Sequence, residues 1–332
     1  MKPFAYLRPG SVADAVRAST DHPGARFLGG GTNLVDLMKL GVETPGLLID
    51  VSRLPLDRVT PTPQGGLLIG ATVRNSDLAA HPAVRGGYPV LSQALLAGAS
   101  GQLRNSATTG GNLLQRTRCT YFQDTSKPCN KRLPGSGCPA REGVHRDLAV
   151  LGHSPACVAT HPSDMAVALA ALDATVRVHG PEGERTVPVT GLHRLPGDSP
   201  ERDTVLEPGE LITGVELPPP PDGALSLYRK ARDRASYAFA LASVAAVLTV
   251  RDGRIGHASL AYGGLAHRPW RAHAAEDVLR GAPATEDTFA RAADAGLAAA
   301  EPLRDNGFKV TLARNLTAGA LAELTARAAS AP

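Results

Sequence analysis

The chain has 332 residues, 43% of them hydrophobic but only 4% aromatic, so it fits two or three domains of roughly 100–200 residues each and has few rings for a nucleic-acid stacking platform. Its net charge of +4 comes from 35 basic and 31 acidic residues spread along the sequence, a balance too even to point to nucleic acid or a membrane surface. No segment reaches the roughly 18 consecutive apolar residues of a membrane span, and Met1 to Pro9 lacks a signal-type apolar run. The chain by itself reads as cytoplasmic, or periplasmic if a signal-bearing partner carries it across.

In chain order, Phe4 to Leu7 predicts a short strand, and Ser11 with Asp14 a capped helix start running through Arg17. Ala25 to Leu28 predicts a strand; Gly29, Gly30, Gly31, Thr32 and Asn33 then lead into helical spacing over Leu34 to Lys39. Strand, glycine loop and helix start place main-chain amides where a pyrophosphate can sit, though neither G-x-G-x-x-G nor a Walker loop is present. A tight turn with Thr32 or Asn33 as helix cap is the plain alternative.

Leu47 to Val51 and Leu67 to Ile69 read as strands, Ser76 or Asp77 starts a short helix ended by His81-Pro82, and Val90 to Ala97 is helical. The run Thr108, Thr109, Gly110, Gly111, Asn112 follows, with little side-chain bulk to keep a phosphate or ring away. Asp164 to Leu172 predicts a helix opened by Ser163 or Asp164, and Thr175 to His179 a strand. Pro218 to Gly223, with four consecutive prolines, is the clearest linker. Beyond it, Tyr237 to Val250 and Ile255 to Tyr262 read as a hairpin turning at Asp252-Gly253, followed by helices at Val278-Leu279, Thr288 to Ala300 and Leu316 to Ala328.

All four cysteines, Cys119, Cys129, Cys138 and Cys157, fall within 39 positions. Clustered thiols in a reducing compartment point to metal or redox chemistry. The spacing C-x9-C-x8-C-x18-C has no close pair of the zinc-knuckle kind. Four thiolates suffice for a 4Fe-4S cube, and Arg116, Arg118, Lys127, Lys131 and Arg132 favour the thiolate form. Iron-sulfur cluster, zinc and free thiols all stay open on spacing alone. The ten histidines are scattered and read as loop or capping residues. No nucleophile elbow is present. Lys230 could face a phosphate or an electron-rich ring, or belong to a solvated basic segment.

Taken together, these segments resemble the FAD-binding subunit of the xanthine dehydrogenase or molybdenum hydroxylase family, most of all the flavin subunit of aldehyde oxidoreductases. The resemblance rests on Phe27, Leu28, Gly29 to Asn33 and Leu34, on Thr108 to Asn112, on Ser163-Asp164, on Leu206 to Ile212, and on Lys230. It implies an α+β fold: a two-part FAD-binding domain of the vanillyl-alcohol-oxidase (PCMH) type over 1–217, the linker 218–223, and over 224–332 a smaller C-terminal domain like that of carbon monoxide dehydrogenase flavoproteins. Residues 27–34 would cradle the FAD pyrophosphate, Thr108 to Asn112 would form the second contact loop, Asp164 would bind a polar part of the cofactor, and Ile212 and Lys230 would approach the flavin.

Asn112 and Asp164 stand 52 positions apart, where the family typically has about ten, and a loop can be inserted there without altering the fold. The extra residues, about 113–162, carry every cysteine and are similar to the 4Fe-4S loop of the aldehyde oxidoreductase subunits. The resemblance therefore implies an FAD and 4Fe-4S electron-transfer subunit with no substrate-oxidising residue of its own. It would pass electrons from a large molybdopterin subunit and a small 2Fe-2S subunit of a heterotrimer to an acceptor, with an aldehyde as the substrate of the complex. The alternatives are a stand-alone FAD oxidoreductase of the same fold and a zinc-stapled assembly module.

Overall fold

The structure, a computed structural model, describes residues 1–330. It is a mixed α and β fold built on three sheets. The first is parallel, in the order Ala5–Leu7, Leu47–Asp50, Arg26–Leu28. Ser11 caps the helix Val12–Asp21 by accepting from the Asp14 amide, and Ala15, Val16 and Ala18 on its inner face pack with Ile49, Leu54 and Leu211. Because Phe27 pairs with Ile49 in parallel register, the glycine loop emerges from the carboxyl end of a strand. Open parallel sheets bind ligands at that edge.

The second sheet is antiparallel, in the order Val59–Pro61, Leu67–Gly70, Leu211–Leu217, Thr175–Gly180, Gly183–Pro188. Its central strand carries Ile212. The third runs Trp270–Arg271, Arg254–Gly263, Ala242–Arg251, Leu225–Ala231, also antiparallel. In the strand Ala242–Arg251, Val244, Ala246 and Leu248 pack toward the helices His273–Leu279, Glu286–Leu297 and Phe308–Ala329, while Ala245 and Val247 join the core around Asp164–Ala171. Both faces of this strand are covered, which is why it reads as an unbroken apolar run.

The proline run is exposed, but Tyr88 donates to the Pro218 carbonyl at 2.8 Å, and Tyr228 lies in the same core as Leu91 and Leu169. The segments on either side of it are therefore packed together. Residues 114–163 hold only a turn of helix, Thr120–Gln123, and a 3-10 turn, Pro139–Arg141. Burial of Leu37, Phe122, Leu148 and Val158 with the cysteines orders the loop. At its base the buried Lys309 donates to the carbonyls of Asp147, Leu148 and Gly264 at 2.9, 2.7 and 2.6 Å.

Several expectations change. The hairpin begins at Ala242 instead of Tyr237, because Tyr237 is in the left-handed region at φ 53° and cannot continue a strand. Lys230 sits in the strand Leu225–Ala231 with its side chain only 4% exposed, so the basic segment around it is not simply solvated. The strands Val59–Pro61, Gly183–Pro188, Leu211–Leu217 and Leu225–Ala231 and the helix Pro82–Gly87 were not expected. Their short or mixed sequences acquire regular structure through pairing and packing with distant segments. Among the described residues no helix is long and apolar enough to cross a membrane.

Candidate functional site

Two loops meet at the carboxyl edge of the parallel sheet. Gly31 takes a positive φ of 74°, which only glycine adopts without strain, and from Gly29 through Asn33 no main-chain amide donates to a protein acceptor among the described residues. Thr108 caps the short helix Thr109–Leu113, its hydroxyl accepting from the Gly111 amide at 3.2 Å. The Ser106 hydroxyl donates to the Gly30 carbonyl at 2.9 Å and ties the loops together. A Cβ on Gly30 would strike the Ser106 carbonyl, and one on Gly29 would come within 2.7 Å of Thr108 Oγ1. The approach requires glycine on this side.

Two cavities open from this seam, of about 300 and 250 Å³, and Thr32, Asn33 and Gly111 line both. The smaller is walled by Phe27, Leu28, Leu34, Leu37, Val51, Leu56 and Ile212. The larger is the more polar of the two, with Asn75, Gln115, Asp164 and Lys230. Ile212 and Lys230 thus line different cavities. Four buried polar atoms on these walls lack a protein partner among the described residues: Asn33 Nδ2, Thr72 Oγ1, Asn75 Oδ1 and Arg118 Nε. Buried polar groups are seldom left unsatisfied, so these mark a place for a polar ligand.

Asp164 is held from two sides. Lys230 Nζ donates to its Oδ2 at 2.7 Å and to the Ala97 carbonyl at 3.1 Å, and the Tyr228 hydroxyl donates to its Oδ1. Burial and the Asp164 charge push the Tyr228 phenol well above its ordinary value, so it stays a donor. Ser163 caps the helix Asp164–Ala171 and also donates to Asn112 Oδ1 at 2.5 Å, joining the Ser-Asp element to the second loop.

The four cysteines line one small cavity next to this site. All are free thiols; three are buried and Cys138 is partly exposed. Main-chain amides point at the sulfurs: Tyr121 and Phe122 at Cys119, Ala140, Arg141 and Val158 at Cys138, and Ala159 at Cys157. Amides converging on sulfur favour thiolate. Cys138, hydrogen-bonded by Cys157, is drawn down to about 6, whereas burial pushes Cys119 up. No group of three or more His, Cys, Asp or Glu among the described residues is arranged to hold a metal ion.

The cations of the insertion act differently from the sequence expectation. Arg116 pairs with Glu43 and Asp203, Lys131 with Asp203 at 2.6 Å, and Arg132 donates to carbonyls. They brace the loop; the hydrogen bond with Cys138 and burial push the Cys157 thiol up, and Lys131 offsets this only in part. Two of the histidines expected in loops or caps, His179 and His257, lie in strands, while three that do lie in loops or at a helix end come together. His161, His193 and His267 are gathered around a small space of about 20 Å³ with Lys131 and Asp203, and the His161 and His193 rings lie 4.1 Å apart. Burial holds all three on the neutral side, His161 and His267 well so. Their positions at 161, 193 and 267 share no sequence period, so only the fold assembles them.

A family profile described as the FAD binding domain in molybdopterin dehydrogenase matches residues 2–220, and one described as the CO dehydrogenase flavoprotein C-terminal domain matches 226–324. The chain belongs to this family and is an FAD-binding oxidoreductase subunit of the molybdenum hydroxylases. It is 56% identical to the aldehyde oxidoreductase FAD-binding subunit PaoB of Escherichia coli K12, over 99% of this chain and 100% of that one. It is 27% identical to the carbon monoxide dehydrogenase medium chain of Hydrogenophaga pseudoflava, over 98% of each. A solved carbon monoxide dehydrogenase from that organism, lacking the Mo-pyranopterin moiety, superposes with a TM-score of 0.78 at 28% identity over 98% of both chains. Quinoline 2-oxidoreductase from Pseudomonas putida 86 gives 0.75 at 26% identity, over 99% of each chain.

Proposed function

We propose that this chain is the FAD and 4Fe-4S electron-transfer subunit of a molybdenum-containing aldehyde oxidoreductase. It relays electrons from molybdopterin and 2Fe-2S partner subunits to an acceptor. The observation that carries this is the convergence of Cys119, Cys129, Cys138 and Cys157 on one amide-lined cavity beside the two-loop seam. The 56% identity to an aldehyde oxidoreductase subunit supports the substrate class of the complex. In the same reading, 1–217 and 224–332 are two domains joined at 218–223, in keeping with family matches that end at 220 and resume at 226.

In this assignment Gly29 to Asn33 and Thr108 to Asn112 hold the pyrophosphate, the free amides of the first loop and the unpartnered Asn33 Nδ2 serving as donors. The apolar cavity of Phe27, Leu28, Leu34 and Ile212 takes the adenine end. The polar cavity takes the flavin ring, whose pyrimidine edge offers both a donor and acceptors to Asp164, Lys230 and Asn75. Ile212 is thereby placed at the adenine end of the cofactor, away from the flavin. When bound, FAD exchanges electrons singly with iron-sulfur centres and in pairs with an acceptor. The protein's part is to orient the ring and to bring the cysteine loop beside it; Cys119 follows Arg118, which lines the polar cavity.

Anaerobic purification followed by iron, sulfide, zinc and flavin analysis tests the proposal. One FAD with four irons and four sulfides per chain is expected. A colourless protein with stoichiometric zinc sinks it.

A further inference from the structure

Four cations line the polar cavity, and three are committed to protein partners. Lys230 is paired with Asp164 at 2.7 Å, which cancels its charge. Arg104 donates to the Gly98 carbonyl at 2.7 Å, and Arg234 to the Tyr237 carbonyl at 2.9 Å. Arg118 has no hydrogen-bond or ion-pair partner among the described residues, and its Nε is buried and unsatisfied. Its guanidinium is stacked on the Phe239 ring, 5.0 Å from the centroid. Asp36, on the same cavity wall, attracts it only through space, while burial disfavours its charge. A guanidinium stays protonated in proteins, and leaving one largely desolvated without a counter-charge costs stability. Such a group is matched to an anion that arrives from outside the chain.

We infer that Arg118 is the positioning residue that supplies the positive charge for reduced flavin. This rests on the placement of the ring in the polar cavity. Two electrons from the molybdenum partner and one proton from solvent leave the ring with one negative charge. Arg118 lines both this cavity and a neighbouring space of about 220 Å³ whose wall includes Cys119. The cation therefore stands between the flavin and the cysteine loop. Its charge favours the reduced ring and makes the flavin a better receiver of electrons, a tuning role the Lys230–Asp164 pair cannot fill because its net charge is zero.

Flavin midpoint potentials of the purified complex test this, with Arg118→Gln and Arg118→Lys beside the wild type. Arg118→Gln should shift the balance between oxidised and reduced flavin at least tenfold toward oxidised, about 30 mV for a two-electron couple. Arg118→Lys should return it to within about threefold of wild type, since it keeps the charge. A Gln variant whose balance stays within about threefold of wild type overturns the proposal. So does a tenfold loss of FAD affinity at unchanged potential, which would assign Arg118 to the phosphates. If the Gln variant fails to hold flavin, the Lys variant decides, and a tenfold shift with charge retained overturns the proposal. Wild type without flavin overturns the site assignment and the proposal together; wild type with flavin but no iron overturns only the cluster, and the flavin potential still decides on Arg118.

Discussion

Gly30→Ala probes the seam directly. The added methyl would meet the Ser106 carbonyl, a backbone atom that cannot rotate away, and Ser106 is the residue whose hydroxyl ties the loops through the Gly30 carbonyl. Overpacking of this kind costs about 1–3 kcal/mol. The half-buried glycine loop can relieve that strain by moving off the Thr108 loop, so the penalty falls on the two-loop arrangement more than on the core. Taken up wholly in cofactor binding, it weakens FAD by roughly 5- to 150-fold. Deflavinated protein titrated with FAD, followed by flavin fluorescence, measures the change, and thermal unfolding of the apo form separates it from loss of the fold. Gly101→Ala is the control, because a Cβ there meets nothing within 4 Å. Equal FAD affinity in Gly30→Ala and wild type refutes the assignment of this seam to the pyrophosphate.

Cys157→Ser should lose most iron and sulfide and the broad visible absorption while keeping FAD, since Cys157 lines the thiol cavity but neither cavity at the seam; iron content equal to wild type removes it as a ligand. Asp203→Asn unpairs Lys131 and Arg116 and should cost about 1–2 kcal/mol at pH 7, after allowance for a carboxylate 33% exposed. The Asp203 carboxylate is held down to about 2 by those cations. Its contribution is complete above the unfolded value near 3.9 and is lost as the pH falls toward about 2. Melting temperatures of the two proteins should therefore converge as the pH falls from about 4 toward about 2; a constant gap over that range argues against a charge effect. A high-resolution crystal structure should show an ordered water among His161, His193 and His267, whose space of about 20 Å³ admits one and whose imidazoles keep nitrogens without a protein partner. A chamber refined as empty would refute it.

Much of the site is legible along the chain because its parts are contiguous. The glycine loop, the Thr108 to Asn112 run and the Ser163 cap are each local solutions to local problems: a positive φ at Gly31, an N-cap hydroxyl at Thr108, an orphan amide at Ala166. The cysteine insertion announces itself by length and content. Its ordering does not, since Leu37 and Leu303, from distant segments, pack against it.

What the sequence alone determined is therefore the inventory: two small-residue loops, a four-cysteine insertion, and a long hairpin with a Gly-containing turn. Local geometry and composition suffice for these. Tertiary structure decided which charges remain free. Asp164 and Lys230 are 66 positions apart and neutralise each other; Arg116 and Lys131 meet Asp203 across the fold; Arg118, beside Cys119, stacks on Phe239 with no hydrogen-bond or ion-pair partner among the described residues. Net electrostatics at a site depends on separations of a few ångströms between residues remote in sequence, and only the folded chain sets those distances.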